Sequence, residues 1–87
     1  MQHRADSNQQ EIVDFLRFAG ASVLILSQVG NGCPDLLIGY NGNNYLIEVK
    51  YKNGRLRKKQ KEFIQSWNGT AVIVAKSIEE VRKAILI

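Results

Sequence analysis

Two acidic residues and a lysine have the spacing of a cation-binding catalytic site in this chain of 87 residues. Asp35 and Glu48 enclose a segment in which apolar runs flank Asn41-Gly42, the strongest short-range signal for a β-hairpin with a type I′ turn. The register of that turn places Asp35 directly opposite Glu48 on one face of the hairpin. Lys50 follows two residues after Glu48, so the alternation of a strand puts its side chain on the same face.

Directly opposed carboxylates destabilise a hairpin, because their Cβ atoms lie only about 5 Å apart. A cation bound between them explains the pair, and a hard divalent ion with oxygen ligands suits carboxylates. A Gly42-Asn43 turn would keep both acids on one face, whereas a three-residue loop without a bulge would separate them. Taken singly, Asp35 is better explained as a turn residue and Glu48 as a surface acid. Together with Lys50 they indicate a site.

Composition limits the chain to one small domain, residues 1–87. The single cysteine, Cys33, excludes an internal disulfide and suits a reducing compartment, the cytoplasm. His3 is the only histidine, so neither a zinc site nor a Cys–His nucleophile can be assembled, and Cys33 is expected to be a small packing residue. Neither a membrane-spanning run nor a signal peptide is visible, so we expect no association with a membrane. We also expect no small-molecule cofactor.

Basic residues are concentrated directly after the acidic pair. Seven of the twelve Lys and Arg residues lie between Lys50 and Lys61, with no acid among them, and the net charge is +4. Such a segment is typical of proteins that bind a polyanion, most often nucleic acid. The alternative, a solvated helix face, is weaker because the segment begins at the predicted site. The candidate DNA-binding residues are Lys52, Arg55, Arg57, Lys58, Lys59 and Lys61.

Apolar periodicity predicts an α/β fold with the element order α-β-β-β-α-β-α. Helices are predicted over 7–19, capped by Ser7 or Asn8, over 57–67, and after a capping box formed by Ser77 and Glu80. Strands are predicted over 21–27, 36–39, 44–51 and 70–75. The hairpin is apolar on both faces, so we expect a mixed central sheet flanked by helices, with its last strand parallel to a neighbour. The glycines of the loop over 28–32 are expected to let the backbone approach a ligand.

Two polar residues border the apolar stripes of the helices. Glu11 precedes Phe15 by one turn, where it either leans toward the acid pair or complements the helix dipole as a first-turn acid. Gln60 occupies an apolar position of the second helix, where it either faces the acid pair or lies half in water. Spacing alone leaves both pairs of alternatives open.

A divalent ion held by two carboxylates, with a lysine and a basic segment nearby, suits the hydrolysis of phosphodiesters. Such an ion polarises a phosphoryl oxygen and lowers the pKa of a bound water. Lys50 is placed to activate that water or to neutralise charge that develops on the phosphate. The basic segment would contact flanking phosphates without reading the bases.

The pattern Gly32-x-Pro34-Asp35-Leu36, then Glu48-Val49-Lys50, then Gln60 in the next helix, resembles the VRR-NUC family of the PD-(D/E)XK nuclease superfamily. The resemblance runs from Glu11 to at least Val74, and it implies a restriction-endonuclease-like core.

This resemblance implies a role for each residue of the site. Asp35, Glu48 and the backbone carbonyl of Val49 would bind Mg²⁺, for which Mn²⁺ would substitute. Lys50 would be the catalytic lysine, and Gln60 would orient that lysine or the substrate. Glu11 would be an outer acidic contributor that reaches the metal through water.

Free-standing members of the family are typically virus- or phage-encoded and resemble homodimeric Holliday-junction resolvases. The resemblance therefore implies a homodimer that cleaves branched DNA in the cytoplasm of a bacterial host. Two alternatives remain open at this point. One is a non-catalytic DNA-binding module whose acids are structural. The other is a restriction-type, duplex or flap nuclease on the same core.

Overall fold

A computed structural model of the chain describes residues 4–51 and 54–87, with side chains described from residue 8 onward. It contains seven elements in the predicted order. The helices are α1 (Arg4–Phe18), α2 (Lys58–Ser66) and α3 (Ile78–Ile85). The strands are β1 (Ser22–Ile25), β2 (Leu36–Tyr40), β3 (Asn43–Val49) and β4 (Ile73–Ala75). Every element type is as predicted, and the differences lie at the boundaries.

The four strands form one mixed sheet in the order β1-β2-β3-β4. The first three pair antiparallel, and β4 pairs parallel to β3. The parallel pairing was predicted, because a strand, a crossover helix and a further strand bring the second strand back in the same direction.

The β2–β3 hairpin has the predicted register. Leu36 pairs with Ile47, and Tyr40 pairs with Asn43 next to the turn. Asn41 and Gly42 have φ values of 52° and 82°, the two left-handed residues that a type I′ turn requires. A Gly42-Asn43 turn is therefore excluded, and the next pair beyond the ladder is Asp35 with Glu48.

The first helix begins earlier than the sequence indicates. It starts at Arg4, so Ser7 and Asn8 lie inside the helix and the prediction that either of them is its cap was wrong. Glu11 is consequently not in the first turn, and its interpretation as an acid that complements the helix dipole was wrong as well. Gly20 terminates the helix just beyond Phe18, as predicted. Its φ of 96° lets the Ala21 N–H donate to the Leu16 carbonyl at 2.9 Å.

The apolar core lies between one face of the sheet and the pair α1 and α3. The side chains of the sheet that point into it come from alternate positions of β2 and β3, as a hairpin with opposed acids requires. Its largest fully buried aliphatic residues are Ile12, Val13, Leu16, Leu36, Ile38, Ile47 and Val81. The Ser77 Oγ caps α3 by accepting from the Glu80 N–H at 3.2 Å, while the Glu80 carboxylate accepts from the backbone N–H of Lys76 at 2.7 Å. In the described part of the chain, no helix is long and apolar enough to cross a membrane.

The second face of the sheet carries Asp35 and Glu48, and α2 reaches it through a hydrogen bond from Gln60 to Glu48. No residue of this helix is buried, although its stripe is apolar. Its Phe63 stacks on Trp67 with ring centroids 5.1 Å apart. Trp67, Leu37 and Leu46 line a cavity of about 160 Å³. With so little apolar burial, the position of α2 depends on a few specific contacts.

One of these contacts explains a loop glycine. A Cβ on Gly32, which has a φ of +80°, would collide with the backbone carbonyl of Lys59 in α2. The expected approach of this loop to a ligand is therefore an approach to the protein's own helix. The other glycine of the loop, Gly30, also has a positive φ of +82° but has open space around it.

We expect Gly32→Ala to lower the free energy of unfolding by about 2–3 kcal/mol, because it adds a backbone collision to the cost of a left-handed alanine. Gly30→Ala is the matched control and carries only the conformational cost of about 1 kcal/mol. Denaturant titration of both variants measures the difference. Equal losses would contradict the close approach of the loop to α2.

Candidate active site

The two acids meet at the end of the hairpin opposite its turn. Asp35 directly precedes β2, and its Oδ2 accepts a hydrogen bond from the Val49 N–H at 2.8 Å. Its backbone carbonyl accepts from the Leu26 N–H at 2.7 Å, which joins this end of β2 to β1. Glu48 lies in β3 and is only 3% exposed, the one buried charged side chain among the described residues. The opposed acids predicted from the turn are thus adjacent and partly removed from water.

The electrostatics of the pair follow from that burial. Desolvation, then the charge of Asp35 and a hydrogen bond with its carboxyl group, raise the pKa of Glu48 to about 8, and the nearby Lys50 acts in the opposite direction. Near neutral pH this shift favours the protonated form of the Glu48 carboxyl group. Desolvation and the same two acids also raise the pKa of Cys33.

Gln60 connects α2 to the acid pair through both ends of its amide. Its Nε2 donates to Glu48 Oε2 at 3.0 Å, and its Oε1 accepts from the backbone N–H of Arg57 at 2.7 Å. Gln60 thus closes the first turn of α2 and holds the Glu48 carboxylate in place. Of the two open alternatives, the structure has Gln60 facing the site. Its partner is Glu48, whereas the resemblance implied contact with Lys50 or the substrate.

Lys50 follows the last residue of β3 and points to the acid face. Its ammonium donates to the backbone carbonyl of Arg55 at 2.6 Å. Its backbone N–H donates to the Ala75 carbonyl at 2.8 Å, one residue beyond the β3–β4 ladder. The predicted convergence of two acids and one lysine is therefore present.

These groups line a cavity of about 260 Å³ that is open to solvent. A neighbouring cavity of about 400 Å³ shares Ser27, Asp35, Arg57 and Gln60 with it. The walls of the first are formed by Gln9, Ser27, Asp35, Glu48, Val49, Lys50, Arg57 and Gln60. Val49, the predicted carbonyl ligand, therefore lies at the site.

The first helix contributes a different residue from the one expected. Glu11 is exposed on α1 and is not among the residues that line either cavity. Gln9 lines the cavity of the acid pair instead. The two positions differ by about 200° around a helix, so they cannot share one face. Gln9 and Ser27 were not predicted, because neither carries a charge or interrupts an apolar stripe in the sequence.

The basic residues form the rim of this site. Arg57, Lys58 and Lys59 line the neighbouring cavity, and the side chains of Arg55 and Lys61 are exposed beside them. Within the described ranges the one salt bridge is Arg82 with Glu79, so no described acid pairs with these five charges. Lys52, also predicted to contact DNA, lies outside the described residues.

The donor set suits a hard divalent cation. The described residues contain no group of three or more His, Cys, Asp and Glu side chains that could hold a metal. A metal site here would therefore use two carboxylates, a backbone carbonyl and water. Mg²⁺ is usually bound in this way, through one or two carboxylates with water as the remaining ligands. The repulsion between Asp35 and the buried Glu48, which helps to raise the pKa of Glu48, is also of the kind that a bound cation relieves.

We expect Cys33→Ser to leave the activity and the fold largely unchanged, because Cys33 is half-buried and its thiol, with a raised pKa, is a poor nucleophile. Cleavage rates and thermal midpoints of the two proteins measured side by side test this. Complete loss of activity would give the thiol a role in the chemistry.

Comparison with known proteins agrees with this geometry. The family model of the VRR-NUC domain matches residues 2–77. A solved structure described as a VRR-NUC domain is similar with a TM-score of 0.73 and 26% identity, over 98% of this chain and 97% of that one. No curated protein matches the sequence. The chain therefore belongs to the VRR-NUC family, which makes it a nuclease of the PD-(D/E)XK type.

Proposed function

We propose that this protein is a metal-dependent endonuclease that hydrolyses phosphodiester bonds of DNA with Mg²⁺, or with Mn²⁺ in its place. The observation that carries the proposal is the acid pair itself. Asp35 and the buried Glu48 line one solvent-open cavity whose rim is basic, and their repulsion helps to raise the pKa of Glu48. A purely structural role gives no reason to place two repelling acids together beside an opening.

Each residue has a distinct task in this mechanism. Asp35, Glu48 and the Val49 carbonyl would hold the ion, which supplies Lewis acidity and an activated water when bound. Gln60 keeps the Glu48 carboxylate in its orientation through the 3.0 Å bond. Lys50 leaves the Arg55 carbonyl to stabilise the charge that develops on the phosphate or to position the attacking water.

The basic rim supports a polyanionic substrate. Arg55, Arg57, Lys58, Lys59 and Lys61 are all exposed, and exposed basic side chains bind phosphates with an affinity that falls as salt rises. Long flexible side chains on a helix surface contact the backbone of DNA and carry little base information. This favours recognition of DNA shape over recognition of sequence.

We further propose that the preferred substrate is a four-way junction and that the acting form is a homodimer. The support is the similarity to VRR-NUC proteins, together with symmetry. A two-fold dimer presents two equivalent sites, and a four-way junction presents two equivalent strands to them.

The test is cleavage of a synthetic four-way junction and of a linear duplex of matched sequence, in Mg²⁺, Mn²⁺ or EDTA. Wild type and Asp35→Ala are compared, and binding is followed by gel shift. We expect paired nicks in the junction that need metal and disappear in the variant although it still binds. Sedimentation measured in parallel should give the mass of two chains.

The other outcomes have defined meanings. Binding without cleavage in either metal would overturn the enzymatic proposal in favour of a DNA-binding module. Cleavage of the linear duplex at one sequence would support a restriction-type nuclease, and cleavage of single flaps would support a flap nuclease. A monomer that resolves junctions would overturn the dimer alone.

A further inference from the structure

Asn8 joins three elements at the catalytic end of the sheet. Its Nδ2 donates to the Lys50 carbonyl and to the Lys76 carbonyl, each at 3.0 Å. Asn8 belongs to α1, Lys50 follows β3, and Lys76 follows β4 and precedes the Ser77 cap of α3. One amide group therefore ties together segments that are distant in the sequence.

The two carbonyls lie where the backbone ladder stops. The last register pair of β3 and β4 is Val49 with Ala75, and the last bond between the strands runs from the Lys50 N–H to the Ala75 carbonyl. At the next step the carbonyls of Lys50 and Lys76 both point to Asn8. Its NH₂ group donates one hydrogen bond to each of them.

Few side chains can do this. A primary amide carries two N–H groups on one nitrogen, a serine hydroxyl has a single donor, and an ionised aspartate has none. Asparagine is also an unfavourable residue inside a helix, because its side chain competes for backbone hydrogen bonds. Asn8 lies inside α1 and caps nothing, so its tertiary contacts are the feature that explains it.

The consequence concerns Lys50. Its N–H is bonded to Ala75 and its carbonyl to Asn8, so the peptide groups on both sides of its Cα are fixed. The direction of its Cα–Cβ bond toward the acid pair is fixed with them. Its ammonium still reaches only the Arg55 carbonyl, through four flexible carbon–carbon bonds.

We propose that Asn8 is a positioning residue that aligns Lys50 with the Asp35–Glu48 pair by extending the β3–β4 ladder by one step. The inference rests on the proposed nuclease function only for its kinetic part. Displacement of a catalytic group by about 1 Å costs roughly 100-fold in rate, so loss of this support should be visible mainly in the chemical step.

The test compares Asn8→Ala, Asn8→Ser and Asn8→Asp with the control Gln10→Ala. Gln10 lies on the same helix and is exposed, and its amide donates to the Asp14 carboxylate on that helix at 2.8 Å. Four quantities are measured on each full-length protein: the thermal midpoint, the hydrogen exchange of the Lys50 amide, the binding of a four-way junction in EDTA, and the single-turnover cleavage rate in Mg²⁺.

We expect Asn8→Ala to speed exchange of the Lys50 amide about tenfold or more and to slow cleavage at least about tenfold. Exchange of the Ile47 amide and binding of the junction should stay within about twofold. Asn8→Ser, which keeps one donor, should retain more activity than Asn8→Ala, and Asn8→Asp should retain the least. Gln10→Ala should match wild type in all four measurements.

Two results would overturn the proposal. Unchanged exchange of the Lys50 amide in Asn8→Ala would show that the side chain does not hold this end of the ladder. Faster exchange with an unchanged cleavage rate of the folded protein would make Asn8 structural only. If the wild type cleaves no DNA, the nuclease function fails, and the exchange measurement still decides whether Asn8 fixes the Lys50 backbone.

Discussion

Glu48→Gln is expected to abolish metal-dependent cleavage and, at the same time, to stabilise the free protein at alkaline pH. Activity should fall by about 1000-fold or more, because an amide cannot replace a carboxylate as a ligand of a hard cation. Stability should rise because the buried carboxyl group repels Asp35 when it loses its proton. A glutamine has the same shape and can still accept from Gln60 and donate to Asp35.

The pH window follows from the direction of the shift. The pKa of Glu48 is about 8 in the folded protein, against an ordinary value of 4.5 for a glutamate in water. The unfolded chain therefore loses this proton first, and the wild type loses stability as the pH rises from about 4.5 to about 8. Below that window the two proteins should be alike, and above it the stability gained by the variant should be complete.

Denaturant titrations of both proteins between pH 4 and pH 9 in EDTA measure this difference. Added Mg²⁺ should raise the stability of the wild type at alkaline pH and leave Glu48→Gln almost unaffected, since only the wild type has the acid pair that a cation relieves. Parallel pH profiles of the two proteins would contradict the raised pKa. A variant that still cleaves would remove Glu48 from the active site.

Lys50→Ala is expected to slow cleavage by about 100- to 1000-fold while DNA binding is nearly retained. The reason is that Lys50 lies at the acid pair, whereas the DNA-binding rim is formed by the other basic residues. Among the described residues, its ammonium donates a hydrogen bond only to the Arg55 carbonyl, at 2.6 Å. Glu48 keeps its hydrogen bond from Gln60 when Lys50 is removed, so no buried acid is left without a partner. The variant should therefore fold with a similar thermal midpoint.

Lys61→Ala is the matched control for the loss of one positive charge. Lys61 is exposed on α2 and does not line the catalytic cavity. Its loss should weaken binding to all DNA substrates alike and reduce the slope of binding against salt by about one. Single-turnover rates and salt-dependent gel shifts separate the two effects. If both variants lost binding and kept the chemical rate, Lys50 would belong to the phosphate-binding rim.

The hairpin shows how much of the site follows from local sequence. Asn41-Gly42 determines a two-residue turn, the turn determines the register, and the register places Asp35 against Glu48 with Lys50 on the same face. Each step depends on backbone geometry within a few residues and on a side-chain period of two, so no distant contact was needed. The element order was correct for the same reason, whereas the parallel pairing of the last strand followed from the general rule for crossover connections.

The first helix shows where local reasoning fails. Asn8 is of a residue type that favours helix N-caps. It nevertheless lies inside α1, where its amide donates two hydrogen bonds to carbonyls of other elements. Glu11 has the charge of a site residue, yet the start and rotation of α1 bring Gln9 to the cavity instead. Gln60 could face either water or the acids from its spacing, and only the packing of α2 decided in favour of Glu48.

The sequence by itself determined which residues face one another across the hairpin, because turn chemistry and strand alternation act over a few residues. Only the tertiary structure decided what surrounds that pair: the rotation of α1, the position of α2 on its few contacts, and the burial that raises the pKa of Glu48. All three depend on how separate elements pack against one another. Packing and hydrogen bonding across the whole chain determine those positions, and no local spacing encodes them.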